Sequence, residues 1–195
     1  MVTSMDIEAV IFDLDGTITK TDVRFAPFRE RIGCGDVDVL DYISRADEHE
    51  REKFYRIIAE YERKIQENCS LNDGFMEVMN FLNERKIKTG IVTRSSREHA
   101  EIVIKKLGIP IKHVIAREDS EPKPSGEPLI MLSKKLAVPV EKMLFVGDFL
   151  WDMLAGRNAG VKTVLLLNEH SKKFVHLADY RIRKLNELIG IIEKW

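Results

Sequence analysis

Cysteine is nearly absent from this sequence. Cys34 and Cys69 are the only two, too few for a disulfide framework, which suggests a reducing compartment. A strong charge of either sign is missing as well: 31 Lys and Arg against 32 Asp and Glu leave a formal net charge of -1. No overall basic field therefore draws the chain to nucleic acid or to an anionic lipid surface. No apolar run approaches the ~20 residues needed to span a bilayer, and Asp6 and Glu8 interrupt the apolar stretch a signal peptide would need there. A cytoplasmic protein with no nucleic-acid and no membrane partner is expected. Zinc-type clusters of His and Cys are also lacking; His49, His99, His113, His170 and His176 are scattered and read as surface or packing residues. There is no internal repeat or low-complexity segment, and 195 residues suffice for one core domain carrying a small insertion.

What is present begins with AVIFDLDGT, Ala9 to Thr17. The apolar run ending in two acids and a glycine fits a buried parallel strand whose carboxyl end opens into a crevice. On an extended backbone Asp13 and Asp15 point to the same side, with Leu14 facing the core. Like charges crowded at a dry strand end need a cation, a shared proton or a cage of hydrogen bonds. After Gly16 the pattern turns helical. Short helices are expected over Val23–Ile32 and Val37–Ser44, and a long one over Glu48–Cys69 with Phe54, Ile57, Ile58, Tyr61 and Ile65 on one stripe. This reads as a small helical insertion spanning 19–71, between core segments 1–18 and 72–195, with hinges near Thr17–Thr21 and Ser70–Gly74. The Gly33-Cys34-Gly35 turn is a candidate tip for it.

From Phe75 onward strands and helices alternate, the pattern of a parallel α/β sheet. Strands are expected at Lys88–Thr93, His113–Ala116, Met143–Val146 and Val161–Leu167, with an edge strand at Tyr180–Arg183. In such a sheet the carboxyl ends share one edge. Thr93 and Arg94 end one strand, and Ser95 with Glu98 suggests a capping box opening the next helix, a ready anion site. Lys123 lies between Pro122 and Pro124, which hold its loop extended. Asp148 ends a further strand, and Asp152 follows in the first turn of a helix, where the helix dipole favours an acid. Three or four carboxylates with a lysine, a threonine and exposed amides describe an octahedral Mg²⁺ beside a phosphate.

DLDGT at Asp13, Thr93 after an apolar strand, Lys123 before a proline and GDFLWD at Asp148 together resemble the four motifs of the haloacid dehalogenase superfamily, in order and over nearly the whole chain. The helical insertion resembles that family's small cap, placed as in its phosphoglycolate phosphatase and β-phosphoglucomutase branch. The resemblance implies a Rossmann-like doubly wound parallel α/β core with an inserted α-helical cap. It also implies a phosphatase using Mg²⁺ on a small phosphorylated metabolite. On that mapping Asp13 is the nucleophile that forms an aspartyl-phosphate, and Asp15 the acid and base. Mg²⁺ would be held by Asp13, Asp148 and the Asp15 backbone carbonyl. Thr93, Arg94 and Lys123 would bind phosphate, and Asp152 would orient the lysine or the metal waters or bind metal itself. Dehalogenases of the family lack an acid at the position of Asp15, so phosphoryl transfer is favoured. A phosphomutase and a non-catalytic binding protein are the alternatives. Arg24, Arg29 and Arg45 of the insertion are the candidates for substrate specificity.

Overall fold

The computed structural model describes residues 6–195; residues 1–5 of the expected core segment lie outside the described residues. The chain divides into two compact units, one formed by the described residues up to Lys20 with Ser70–Trp195, the other by Thr21–Cys69.

The first unit is built on β1 (Ala9–Phe12), which is wholly buried. It pairs in parallel with both β4 (Lys88–Val92) and β6 (Met143–Gly147). With β5 (Val114–Ile115), β7 (Lys162–Leu166) and β8 (Tyr180–Ile182) they form a six-stranded sheet in the order β5-β4-β1-β6-β7-β8. Strands added after β1 run outward on both sides of it, and that reversal opens a crevice at the carboxyl ends. β8 is the edge strand foreseen from sequence.

Alternation along β1 serves two layers. Ala9 and Ile11 pack with Leu129, Leu132 and Leu136 of α6 (Glu127–Leu136) and with Ala155 and Ala159 of α7 (Leu150–Ala159). Phe12, two residues on from Val10, meets Phe75 of α4 (Phe75–Glu84) edge to face at 5.9 Å between ring centroids. Helices thus cover both faces of a parallel sheet, which explains why its strands read as continuous apolar runs.

The second unit holds α1 (Ala26–Ile32), α2 (Val39–Ser44) and α3 (Glu48–Asn68). Asp38 and Asp47 cap α2 and α3 by accepting from backbone amides of the first turn. Phe28, Ile32, Val39, Ile43, Phe54, Ile57 and Ile58 bury one another in a core of their own. Tyr61, from the expected stripe of α3, fills its flank, its ring 4.8 Å from Phe25 and 5.0 Å from Phe28. Cys34 is also buried in that core, while Gly33 and Gly35 on either side of it are exposed.

The chain leaves the first unit through β2 (Thr19–Lys20) and returns through β3 (Ser70–Leu71), which pair antiparallel. Asn72 fastens this ribbon to the turn after β1, its backbone amide donating to the Ile18 carbonyl at 2.8 Å and its side chain to that of Thr17 at 3.1 Å. Thr19, Lys20, Ser70 and Leu71, expected within the insertion, therefore cluster with the core. No helix among the described residues is long and apolar enough to cross a membrane.

Candidate active site

Lys123 stands at the centre of the carboxyl edge. Its side chain is buried, and its Nζ donates to Asp13 Oδ1 at 2.5 Å and to Asp152 Oδ1 at 2.6 Å. Asp13 follows β1 directly and is locked across the sheet by its amide, which donates to the Val146 carbonyl at 2.8 Å. Asp152, in the first turn of α7, accepts at Oδ2 from the amides of Asp148 (3.2 Å) and Phe149 (3.0 Å). Both of its oxygens are thus engaged, one capping the helix and the other holding the lysine. Gly147 makes this possible: a Cβ there would lie 2.2 Å from that of Asp152.

Asp13, Asp148 and Asp152 each offer an oxygen within 4.8 Å of the others. Asp148 is itself held by Asn168, whose Nδ2 donates to Oδ2 at 2.9 Å, and at long range by the Thr17 hydroxyl at 3.5 Å. Three carboxylates face one ammonium. Burial, with Asp152 beside it, pushes Asp148 up to about 7 despite Lys123 and the Asn168 and Thr17 hydrogen bonds. Asp13 is also raised, by burial first, against the pull of Lys123, with Asp152 and Asp148 adding to the rise. Burial alone would lower Lys123, but Asp13 and Asp152 outweigh it and keep the ammonium charged. The remaining excess of negative charge and the all-oxygen donor set fit a hard divalent cation. Gly16, at φ +92°, keeps that space open, since a Cβ there would sit 2.6 Å from Asp148 Oδ2.

Asp15 leads a separate life. Its backbone forms an isolated bridge with Thr19 within the turn after β1, not an extension of β1, and its side chain is outside the acidic cluster. Ser95 Oγ donates to Oδ2 at 2.7 Å, and His99 Nε2 lies 3.0 Å from Oδ1. The expected capping box is corrected by this geometry. Ser96, not Ser95, caps α5 (Arg97–Leu107), accepting from the His99 amide at 3.1 Å, and Ser95 is left to reach Asp15.

Thr93 is buried at the end of β4, and its Oγ1 accepts from the Ser95 amide at 3.0 Å, leaving its proton to donate. Arg94 donates to the Lys123 carbonyl, and its guanidinium lies 5.3 Å from the Trp151 ring, so it braces the lysine loop. In the helical unit Arg29 donates to the Gly35 carbonyl at 2.6 Å and the Val37 carbonyl at 2.7 Å, and Arg45 pairs with Asp41 at 2.7 Å. Arg24 is exposed.

A family model described as haloacid dehalogenase-like hydrolase matches residues 7–160. The chain belongs to the haloacid dehalogenase-like hydrolases. An uncharacterized hydrolase of Saccharomyces cerevisiae is 30% identical, over 96% of this chain and 91% of that one. An N-acetylmuramic acid 6-phosphate phosphatase of Pseudomonas aeruginosa is also 30% identical, over 97% of this chain and 96% of that one. The crystal structure of a hydrolase from Pseudomonas syringae shares the fold at a TM-score of 0.81 and 23% identity, covering 96% of this chain and 98% of that one. The protein is an enzyme, a hydrolase of the superfamily's phosphatase kind.

Three residues of this hydrolase's edge escaped the motif reading. His99 is fully buried and bonded to Asp15, not a bystander. Its signal was a polar residue on the buried face of α5, one turn before Val103. Ser95 was assigned to a cap its neighbour provides. Asn168 follows β7 on the same carboxyl edge, the position that drew attention after β1, β4, β5 and β6.

Proposed function

We propose that this hydrolase cleaves the phosphate monoester of a small cytoplasmic metabolite with Mg²⁺, through an aspartyl-phosphate on Asp13. The observation that carries the reading is the separation of two carboxylates only two residues apart. Asp13 lies against Lys123 beside Asp148, while Asp15 lies on a hydroxyl and an imidazole. Asp13, paired with the Lys123 ammonium beside the acidic cluster, is suited to nucleophilic attack, and Asp15 to exchange a proton. Asp13 attacks the phosphorus in line, the bond to the alcohol oxygen breaks, and Asp15 gives that oxygen its proton. Asp15 then takes a proton from the water that attacks the acyl phosphate, which restores both carboxyl groups. Lys123 and the Thr93 hydroxyl stabilise the charge that shifts onto the phosphoryl oxygens. Asp152 keeps the lysine aimed at Asp13.

Asp13, Asp148 and the Asp15 carbonyl would hold Mg²⁺. When bound, it supplies the charge neutralisation that lets an anionic ester approach an anionic nucleophile. The helical unit is proposed as the cap that selects the substrate, with Arg24 as its candidate contact. Arg29 and Arg45, engaged within the unit, are weaker candidates.

The test is hydrolysis of a panel of small esters, among them phosphoglycolate, hexose phosphates and an amino-sugar 6-phosphate, with Mg²⁺ or EDTA, for wild type and Asp13→Asn. Turnover is expected only for wild type with Mg²⁺. Substantial activity in Asp13→Asn removes the nucleophile assignment. A wild type that releases no phosphate from any ester with Mg²⁺ overturns the monoesterase reading. Product formation that depends on a sugar bisphosphate redirects it to a mutase.

A further inference from the structure

We propose that His99 is a positioning residue for the proton-transferring carboxylate, acting with Ser95 to fix Asp15 by both of its oxygens. The inference rests on the phosphatase reading above and deepens it. His99 has no exposed surface, and it shares the buried face of α5 with Ala100 and Val103. An imidazole in such a place carries a desolvation penalty that a leucine would not, unless its nitrogens find partners. Its Nε2 finds Asp15 Oδ1 at 3.0 Å, while Ser95 Oγ meets Oδ2 at 2.7 Å.

The two holding groups are themselves fixed by backbone hydrogen bonds. The His99 amide donates to the Ser96 hydroxyl, the Ser95 amide to Thr93 Oγ1, and the Arg117 amide to the Ser95 carbonyl at 3.2 Å. The start of α5 is thus tied back to Thr93, just after β4, and grips Asp15 at two points. A carboxylate in the turn after β1, directly before Gly16, has otherwise only its own rotamers to direct it. An imidazole nitrogen and a hydroxyl can each donate or accept, so the same pair holds a carboxyl group before and after it passes its proton to the leaving oxygen. Asp13 has no such clamp and needs none, because Lys123 and the sheet already fix it.

The readout is the dependence of kcat/KM on the leaving group, since kcat/KM covers the steps through departure of the alcohol. An alkyl phosphate needs the acid, whereas p-nitrophenolate leaves without a proton. With Mg²⁺ present, His99→Phe is expected to lower kcat/KM at least ~30-fold on glycerol 2-phosphate and less than ~3-fold on p-nitrophenyl phosphate, within the range of one general acid. His99→Gln, which returns a polar atom near Nε2, is expected to recover most of that loss. Ser95→Ala is expected to show the same split more weakly, and serves if His99→Phe fails to give a cooperative melt. Asp15→Asn is the reference for a missing acid.

Equal losses on the two esters, or no loss in either the His99 or the Ser95 variants, overturn the proposal and leave His99 a packing residue. Asp15→Asn without a split removes the acid assignment itself. A wild type inactive on both of these esters and on every ester of the panel above removes the monoesterase reading, and this proposal with it.

Discussion

Around Lys123 three carboxylates compete for one ammonium, and the pairs at 2.5 and 2.6 Å are closed off from water. Removing one partner of a buried pair is costly because the remaining charge stays uncompensated. Lys123→Met, which keeps the length of the side chain, is expected to lower kcat/KM at least ~100-fold, the scale of a lost transition-state donor. It is also expected to lower metal-free stability by about 3 kcal/mol. Millimolar Mg²⁺ should return part of the melting temperature and none of the activity, which thermal melts beside ester assays will check. The placement of Asp13, Thr93, Lys123 and Asp148 was legible in the sequence because each ends a strand or sits in a loop at one sheet edge. His99 was not, because a helix stripe reports only that a position is buried. Which polar atom waits on the other side is a long-range fact, since Asp15 lies 84 positions away along the chain.

The start of α5 carries the next test. Ser95 and Ser96 are adjacent hydroxyls before a helix, and local pattern alone favoured the first because Glu98 stands three residues on. The structure gives the cap to Ser96. Ser96→Ala is expected to destabilise the protein by about 1 kcal/mol, as loss of a helix cap does. Glu98→Ala, an exposed change outside that cap, should stay within ~0.5 kcal/mol. Denaturant melts of the two variants discriminate between the two capping schemes. Strands and helices of the core were legible as elements because their apolar periods are strong, with ends off by a residue or two where frayed turns blur them. The short helices of the insertion begin later than the pattern suggested, α1 at Ala26 just before Pro27 and α2 at Val39 after its Asp38 cap.

At the scale of the molecule, the acidic edge couples stability to pH and to metal. Asp148 titrates near 3.8 in an unfolded chain and at about 7 in the folded one. Between those values the folded state holds a proton that the unfolded state has released, so this group's contribution to stability falls as pH rises. In EDTA, wild type is expected to lose melting temperature across that window relative to Asp148→Asn, and excess Mg²⁺ should flatten the difference. Because protons and Mg²⁺ compete for the same oxygens, Mg²⁺ affinity is expected to weaken as pH falls below about 7. Titration of metal by calorimetry at several pH values checks this.

The ribbon of β2 and β3 has a consequence for the ancestry of such chains. Thr19 faces Leu71 and Lys20 faces Ser70, so the points where the helical unit departs and returns are neighbours on one two-stranded ladder. To the sheet, everything from Thr21 to Cys69 is the tip of a hairpin, and the entropy of closing that tip grows only slowly with its length. A tight turn, or another domain with adjacent ends, would meet the same boundary condition. The sheet and its carboxyl edge can therefore be kept while the inserted piece is lengthened, shortened or exchanged, making this junction a socket.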